Sequence, residues 1–341
     1  MSIAFDLQSI WFLLVGVLFT GYAILDGFDL GVGALHLFTK TDTERRLMLN
    51  SIGPVWDGNE VWLVTAGGAL FAAFPEVYAT VFSGFYLAFM LFVFSLIFRA
   101  VAIEFRSKQP MAWWRRTWDT SFCVSSVLGS LLVGVAMGNL AYGIPLDAAH
   151  EFTGTFLGLL HPYPLLIGVT TVSLFTMHGN IYVILKTEGA LQARAKSWVR
   201  WTIGAFILCY LITSVVTVLA VPTMVRPYEQ QPLLLAVPLL TLLVVANIPR
   251  EVYHGREVRA FLSTAVTMIG LLALFGIGMY PNFVHTTQPS HSLTIYNGAS
   301  SPKTLTIMLI IAGIGMPLVL TYTVAIYRIF RGKVTLNDHS Y

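Results

Sequence analysis

Charged residues are scarce in this sequence. Lysine, arginine, aspartate and glutamate together make up 11% of its 341 residues, whereas about a quarter of the residues in a soluble domain are charged. The chain is also 56% hydrophobic, so the classes of soluble enzyme are excluded. No basic stripe interleaved with aromatic residues is present, and we therefore expect no nucleic-acid partner.

Cysteine is scarcer still, since the chain has only Cys123 and Cys209. Both stand alone within apolar segments, and neither belongs to a CxxC pair. This spacing argues against a disulfide framework and against a cysteine-based metal site. We expect no metal to be bound by this chain.

Long apolar runs are abundant. A membrane-spanning helix needs about 20 mostly apolar residues. The runs that meet this requirement predict an all-α, polytopic membrane protein with nine transmembrane helices in a lipid bilayer. They cover residues 9–37, 52–75, 78–103, 119–142, 155–185, 202–222, 232–249, 260–284 and 303–330.

The distribution of lysine and arginine predicts the orientation of the chain, because cytoplasmic connections carry an excess of both. Of the 20 basic residues, all except Arg226 and Lys303 fall in or beside one set of connections and in the carboxyl-terminal tail. The amino terminus is therefore predicted to face outward and the carboxyl terminus to face the cytoplasm. An odd number of spans agrees with this orientation.

We treat residues 1–341 as a single integral-membrane domain made of two four-helix bundles and one additional helix. Residues 1–150 form the first four-helix half and residues 151–301 the second. Residues 302–341 form the ninth helix and a cytoplasmic tail. No internal sequence symmetry establishes the two halves.

Four acids lie within the predicted spans near the cytoplasmic side. Asp26 and Asp29 are three residues apart in the first helix, and Asp57 and Glu60 are three apart at the start of the second. Residues at this spacing share one helix face, and an acid within the membrane costs about 2.5–3.5 kcal/mol on insertion scales. Neighbouring acids are expected to share a proton, which predicts a path for proton uptake. Alternatively, they only fix helix packing through each other, Asn59, Arg99 or a partner subunit.

Two further side chains in the spans are candidates for function. His178 could ligate haem, join the proton path or be a buried, hydrogen-bonded histidine, and the last interpretation is favoured for a lone histidine. Arg99 could pair with an inner acid or a quinone head group, or it could extend its charged end to the membrane surface. The sequence leaves these alternatives open.

The segments "GYAILDGFDLGVG", "NSIGPVWDGNEVWLVTAGGALFAAFPEVYA", "FSGFYLAFMLFVFSLIFRAVAIEFRSK" and "SLTIYNGASSPKTLTIM" resemble subunit II of the cytochrome bd-type quinol oxidases. The likeness runs in order from the first helix to the ninth. It implies a complex of a bacterial or archaeal cytoplasmic membrane that oxidises ubiquinol or menaquinol and reduces dioxygen to water with protons from the cytoplasm. In that family the haems belong to a separate subunit I, and some members hold a structural quinone in subunit II.

The resemblance also implies roles for particular residues. Asp26, Asp29 and Asp57 match the family's intramembrane acids. Trp56 and Arg99 lie in its motifs and, with His178, are candidate partners of a quinone or of an acid. The chain is expected to bind no haem, to contain no catalytic residue, and to line a proton channel beside subunit I. A small single-helix subunit is a further expected partner.

This sequence departs from the resemblance in two places. Glu60 stands where some members carry glutamine, which adds an acid to the cluster. The stretch around Arg226 is short beside some relatives, so a quinone site that depends on it is in question.

Two other classes of function stay open at this point. One is a proton-coupled membrane transporter, although such proteins often show broken helices at the membrane centre and inverted repeats. The other is a purely structural assembly subunit whose acids lock helices together.

Overall fold

The computed structural model describes residues 6–336, and helices account for most of them. Twelve α-helices lie within this part of the chain, and one two-stranded antiparallel hairpin joins the last two. The helices are α1 Leu7–Leu35, α2 Asp42–Ile52, α3 Trp56–Ala73, α4 Pro75–Gly84, α5 Tyr86–Phe105, α6 Ala112–Tyr142, α7 Pro162–Lys186, α8 Gly189–Ala220, α9 Pro222–Gln230, α10 Ala236–Tyr253, α11 Glu257–Met279 and α12 Pro302–Ile329; the strands are β1 Asn282–Val284 and β2 Leu293–Thr294.

The prediction of a helical, multi-pass membrane protein is confirmed. Within residues 6–336, eight helices are long and apolar enough to cross a membrane, namely α1, α5, α6, α7, α8, α10, α11 and α12. The predicted span 52–75 corresponds to α3, which is helical but falls outside this apolar set. Asp57, Asn59 and Glu60 in its first turns lower its hydropathy. The count of nine crossings stays a prediction that includes α3.

Several predicted boundaries were wrong. Residues 42–52, predicted as a connection, form α2, because Thr41 and Glu44 make a reciprocal capping box at its start. The fifth span begins at Pro162 and not at residue 155. The eighth ends at Met279, and residues 282–284, which were predicted to be helical, form β1.

The crossing of α1 and α7 fixes the position of the first helix. A Cβ atom on Gly31 would overlap the backbone of Phe175, and one on Gly179 would lie 2.5 Å from the carbonyl carbon of Gly31. Glycine therefore allows the two backbones to touch, as small residues do between membrane helices. The main apolar core surrounds this crossing and includes Phe28 and Met177.

Two proline joints interrupt the bundle in the same way. Phe74 separates α3 from α4 with φ −136° and ψ 66°, and Val221 separates α8 from α9 with φ −130° and ψ 68°. Each is followed by a proline at the first position of a short helix, where the missing N–H has no intrahelical partner to lose. The joints agree with a two-half organisation, but the boundaries of the halves stay a prediction.

We call the end of the bundle that carries 18 of the 20 basic residues the basic end. It holds α2, the start of α6 and the residues after α12. If it faces the cytoplasm, a cysteine in the tail and one in the loop between α11 and α12 must lie on opposite sides of the membrane. Exposed Thr335 and Ser290 supply these positions.

We expect Ser290→Cys, in a chain whose two native cysteines are replaced by serine, to react with a membrane-impermeant maleimide in intact spheroplasts. Thr335→Cys should react only after the membrane is opened, because the reagent cannot reach the cytoplasmic side. Labelling of Thr335→Cys in disrupted membranes serves as the control for its reactivity. The reverse pattern would show that the basic end faces outward.

Candidate functional site

Arg99 of α5 joins two acids from different helices at the basic end. Its Nη1 donates to Asp26 Oδ1 of α1 at 2.6 Å, and its Nη2 donates to Glu60 Oε2 of α3 at 2.8 Å. The Asp26 side chain is fully buried, that of Arg99 is 1% exposed and that of Glu60 is 18% exposed. A buried guanidinium that is bound by two carboxylates connects α1, α3 and α5.

Asp29, the second acid of α1, is held by a different partner. Asn59 Nδ2 donates to Asp29 Oδ2 at 2.8 Å and to the carbonyl oxygen of Leu25 at 3.2 Å. Asn59 Oδ1 in turn accepts a hydrogen bond of 2.9 Å from the hydroxyl of Tyr327 in α12. Asn59 and Glu60 are consecutive, so their side chains leave α3 about 100° apart and meet different helices.

Each buried aspartate therefore has one oxygen with a partner and one without. Among residues 6–336, Asp26 Oδ2 and Asp29 Oδ1 have no hydrogen-bond partner, and neither do the Tyr22 hydroxyl and Arg99 Nε, all of which are buried. Most buried polar atoms in proteins are hydrogen-bonded. The two free carboxylate oxygens can bind a proton without breaking an ion pair.

Asp57 and Trp56 were predicted with this cluster but lie at its edge. The side chain of Asp57 is exposed in the first turn of α3, where the helix dipole favours a negative charge. Trp56 is buried in the main apolar core, and its role stays a prediction. Exposure falls from Asp57 through Glu60 to Asp26 and Asp29, so the four acids lead from the surface into the protein.

His178 lies outside the acid cluster and has a partner at each ring nitrogen. Nδ1 is 2.6 Å from Thr264 Oγ1, and Nε2 is 3.0 Å from the carbonyl oxygen of Ile24. The ring also stacks on Phe261, with 4.7 Å between the ring centroids. In residues 6–336 no group of three histidine, cysteine, aspartate or glutamate side chains is placed to hold a metal ion.

A second buried ion network, centred on Asp119 of α6, was missed from the sequence. Its carboxylate is fully buried and lies 2.6 Å from His36 Nε2, 2.8 Å from Arg45 Nη1 and 2.6 Å from Arg106 Nε. Arg106 also binds Asp42 at 2.7 Å. Asp119 is the first residue of the predicted fourth span, and an acid at that position is the signal that could have revealed it.

Fold and site together define a multi-pass α-helical membrane protein in which three carboxylates are grouped near one buried guanidinium. The family model of cytochrome bd terminal oxidase subunit II matches residues 7–330. This chain belongs to that family, as the resemblance of its motifs predicted.

Known relatives are similar along almost the whole chain. Cytochrome bd-I ubiquinol oxidase subunit 2 of Escherichia coli (strain K12) is 36% identical over 364 aligned positions, covering 97% of this chain and 96% of the relative. Cytochrome bd ubiquinol oxidase subunit 2 of Bacillus subtilis (strain 168) is 33% identical, covering 97% of each. A chain of the solved bd oxidase from Geobacillus thermodenitrificans shares the fold with a TM-score of 0.78 at 16% identity, covering 95% of this chain and 98% of that one.

We expect Asp119→Asn to destabilise the protein, because it leaves the guanidinium groups of Arg45 and Arg106 without their shared negative partner. Breaking a buried ion pair by removing one member costs about 3–5 kcal/mol. The melting temperature of the detergent-solubilised protein should fall by several degrees. Glu188→Gln, which removes an acid from an exposed position, is the matched control. An unchanged melting temperature for Asp119→Asn would contradict a stabilising role.

Proposed function

We propose that this chain is the haem-free subunit of a respiratory quinol:dioxygen oxidoreductase, and that it conducts protons from the cytoplasm toward a haem-bearing subunit I. Membership of the subunit II family supports the assignment to an oxidase complex. The observation that supports a proton path is the pair of buried aspartates next to the partly exposed Glu60. Each aspartate has one carboxylate oxygen without a hydrogen-bond partner.

The arrangement suggests where protons bind. Asp57 and Glu60 are the acids that water can reach, so they form the entrance. A proton that arrives at Asp26 binds Oδ2, because Arg99 occupies Oδ1. At Asp29 it binds Oδ1, because Asn59 occupies Oδ2.

Charge balance favours proton binding by this cluster. Asp26, Asp29 and Glu60 supply three carboxylates, and Arg99 supplies one guanidinium. Leaving two uncompensated negative charges in a largely buried site is costly. The bound proton is then shared by the coupled carboxylates and cannot be assigned to one residue. Such a group takes up and releases protons with little movement of its helices.

One exposed face of α3 is where we place the contact with subunit I. Asp57 and Val61 lie on it, as do Gly58 and Gly68, and a Cβ added at either glycine would meet no atom within 4 Å. Packing within this chain does not require glycine at these two positions. The small residues therefore leave room for a helix of another chain to approach closely. That helix would pack against Val61 and Gly68, leave Asp57 at the start of α3 open as the entrance, and receive protons beside the buried acids.

The haems and quinol oxidation are assigned to subunit I. His178 uses both ring nitrogens in hydrogen bonds, which disfavours it as a haem ligand. Both terminal nitrogens of Arg99 are bound to carboxylates, which disfavours it as a partner of a quinone head group. A structural quinone and a small single-helix subunit remain predictions.

A structural assembly role is the second candidate, because the ion pairs of Arg99 also hold α1, α3 and α5 together. The two candidates differ in what neutral variants of the acids do. A structural role predicts loss of assembled complex, whereas a proton path predicts a normal complex with slow turnover.

We expect Asp26→Asn, in which Glu60 keeps the guanidinium of Arg99 paired, and Asp29→Asn, which removes no ion pair, to assemble with normal haem content. Both should lower quinol oxidase turnover at least about tenfold. Asparagine keeps the shape and can still accept a hydrogen bond, but it cannot carry a proton at neutral pH, and general acid–base groups contribute on the order of 10²-fold or more. Oxygen consumption per haem is the measurement.

Glu76→Gln is the matched control, since this exposed acid lies at the end of the bundle opposite the acid site. Turnover equal to that of the control in both aspartate variants would contradict the proton path. A lower haem content of the complex, with unchanged turnover per haem, would favour the assembly role.

A further inference from the structure

Helix α12 contacts the rest of the chain at few places. Leu305 is its only buried residue, and its carbonyl oxygen accepts a 3.0 Å hydrogen bond from Trp11 Nε1. Near the basic end, Lys186 Nζ donates to the carbonyl oxygen of Phe330 at 2.6 Å, and the amide of Val334 donates to the carbonyl oxygen of Lys186 at 2.8 Å. Much of the helix surface between these anchors is exposed.

Tyr327 is the residue through which α12 reaches the acid site. Its ring is partly buried against the main apolar core, and its hydroxyl donates to Asn59 Oδ1 at 2.9 Å. Asn59 donates its amide hydrogens to Asp29 Oδ2 and to the carbonyl oxygen of Leu25. A continuous chain of hydrogen bonds therefore runs from α12 through α3 to α1.

The donors and acceptors in this chain fix its direction. The side chain of Asn59 has one accepting end and one donating end. The tyrosine hydroxyl supplies a donor on one side, while Asp29 and the carbonyl of Leu25 supply acceptors on the other. A reversed amide would place oxygen against oxygen near Asp29. The hydroxyl of Tyr327 therefore favours the orientation in which the amide nitrogen faces the carboxylate.

We propose that Tyr327 is a positioning residue of the acid site: its hydroxyl holds the amide nitrogen of Asn59 against Asp29 Oδ2, so that Asp29 takes up its proton on Oδ1. Without this hydroxyl, Asn59 Oδ1 loses its donor in a buried position and the amide is free to turn. Asp29 then loses the hydrogen bond that keeps one of its oxygens unprotonated. This inference rests on the proposed function of the acid cluster.

The test uses the assembled, purified oxidase carrying Tyr327→Phe, which keeps the ring and its packing. We expect turnover per haem to fall about fivefold, the effect of one hydrogen bond of ordinary strength. The KM for quinol should stay unchanged, and the solvent deuterium isotope effect should rise because proton delivery becomes slower. Tyr322→Phe, an exposed tyrosine on the same helix, is the matched control.

A double-mutant cycle shows whether Tyr327 acts through Asn59. If it does, Tyr327→Phe causes no further loss of turnover in the Asn59→Ala background. A merely structural role would lower the yield of haem-containing complex and leave turnover per haem and the isotope effect unchanged, which would overturn the proposal. Equal losses in both backgrounds would also overturn it.

Failure of this inference can be distinguished from failure of the proton path. If Asp29→Asn slows turnover and Tyr327→Phe does not, the path stands and Tyr327 has no positioning role. If neither substitution affects turnover, the proposed function itself fails. The control Tyr322→Phe should match the unmodified enzyme in every case.

Discussion

The buried guanidinium of Arg99 is the constraint on which the arrangement of the basic end depends. A charge that is 1% exposed is tolerated only when it is paired and hydrogen-bonded. Asp26 and Glu60 provide these bonds from two other helices, so α1, α3 and α5 must meet at one depth. The glycine contact between α1 and α7 holds α1 from its other side.

A second buried arginine, nearer the end of the bundle, is also paired with carboxylates from other parts of the chain. Arg106 follows Arg99 by seven residues, which is about two helical turns. It binds Asp119, to which His36 is also bound. The two networks differ in charge, since three acids accompany Arg99 and Asn59, whereas Asp119 is surrounded by cationic and imidazole groups. Of these two networks, only the one at Arg99 has acid in excess, and this excess is what the proposed proton binding requires.

Much of this site could be predicted from the sequence, because membrane acids are conspicuous. The spacing of Asp26 and Asp29 placed them on one face, and Arg99 and Asn59 were named as partners. Tyr327 could not be found in this way, because 268 residues separate it from Asn59 and only tertiary packing brings them together. The polar segment that forms α2 was mistaken for a connection, although Thr41 and Glu44 carry the signature of a helix start.

The acids belong to one side of the α1–α7 crossing only. On the α7 side the fully buried polar side chains are the uncharged Asn180 and His178, and the ring nitrogens of His178 are both hydrogen-bonded to uncharged partners. The acids on α1 instead bind side chains of α3 and α5, and α3 also carries the exposed Asp57. Because α12 also packs on α1 and α3, this additional helix completes the packing around the acids and not the packing around His178. In a chain with two similarly jointed parts, the acid cluster, which is the proposed proton-binding site, thus lies in one part only and is completed by one added helix.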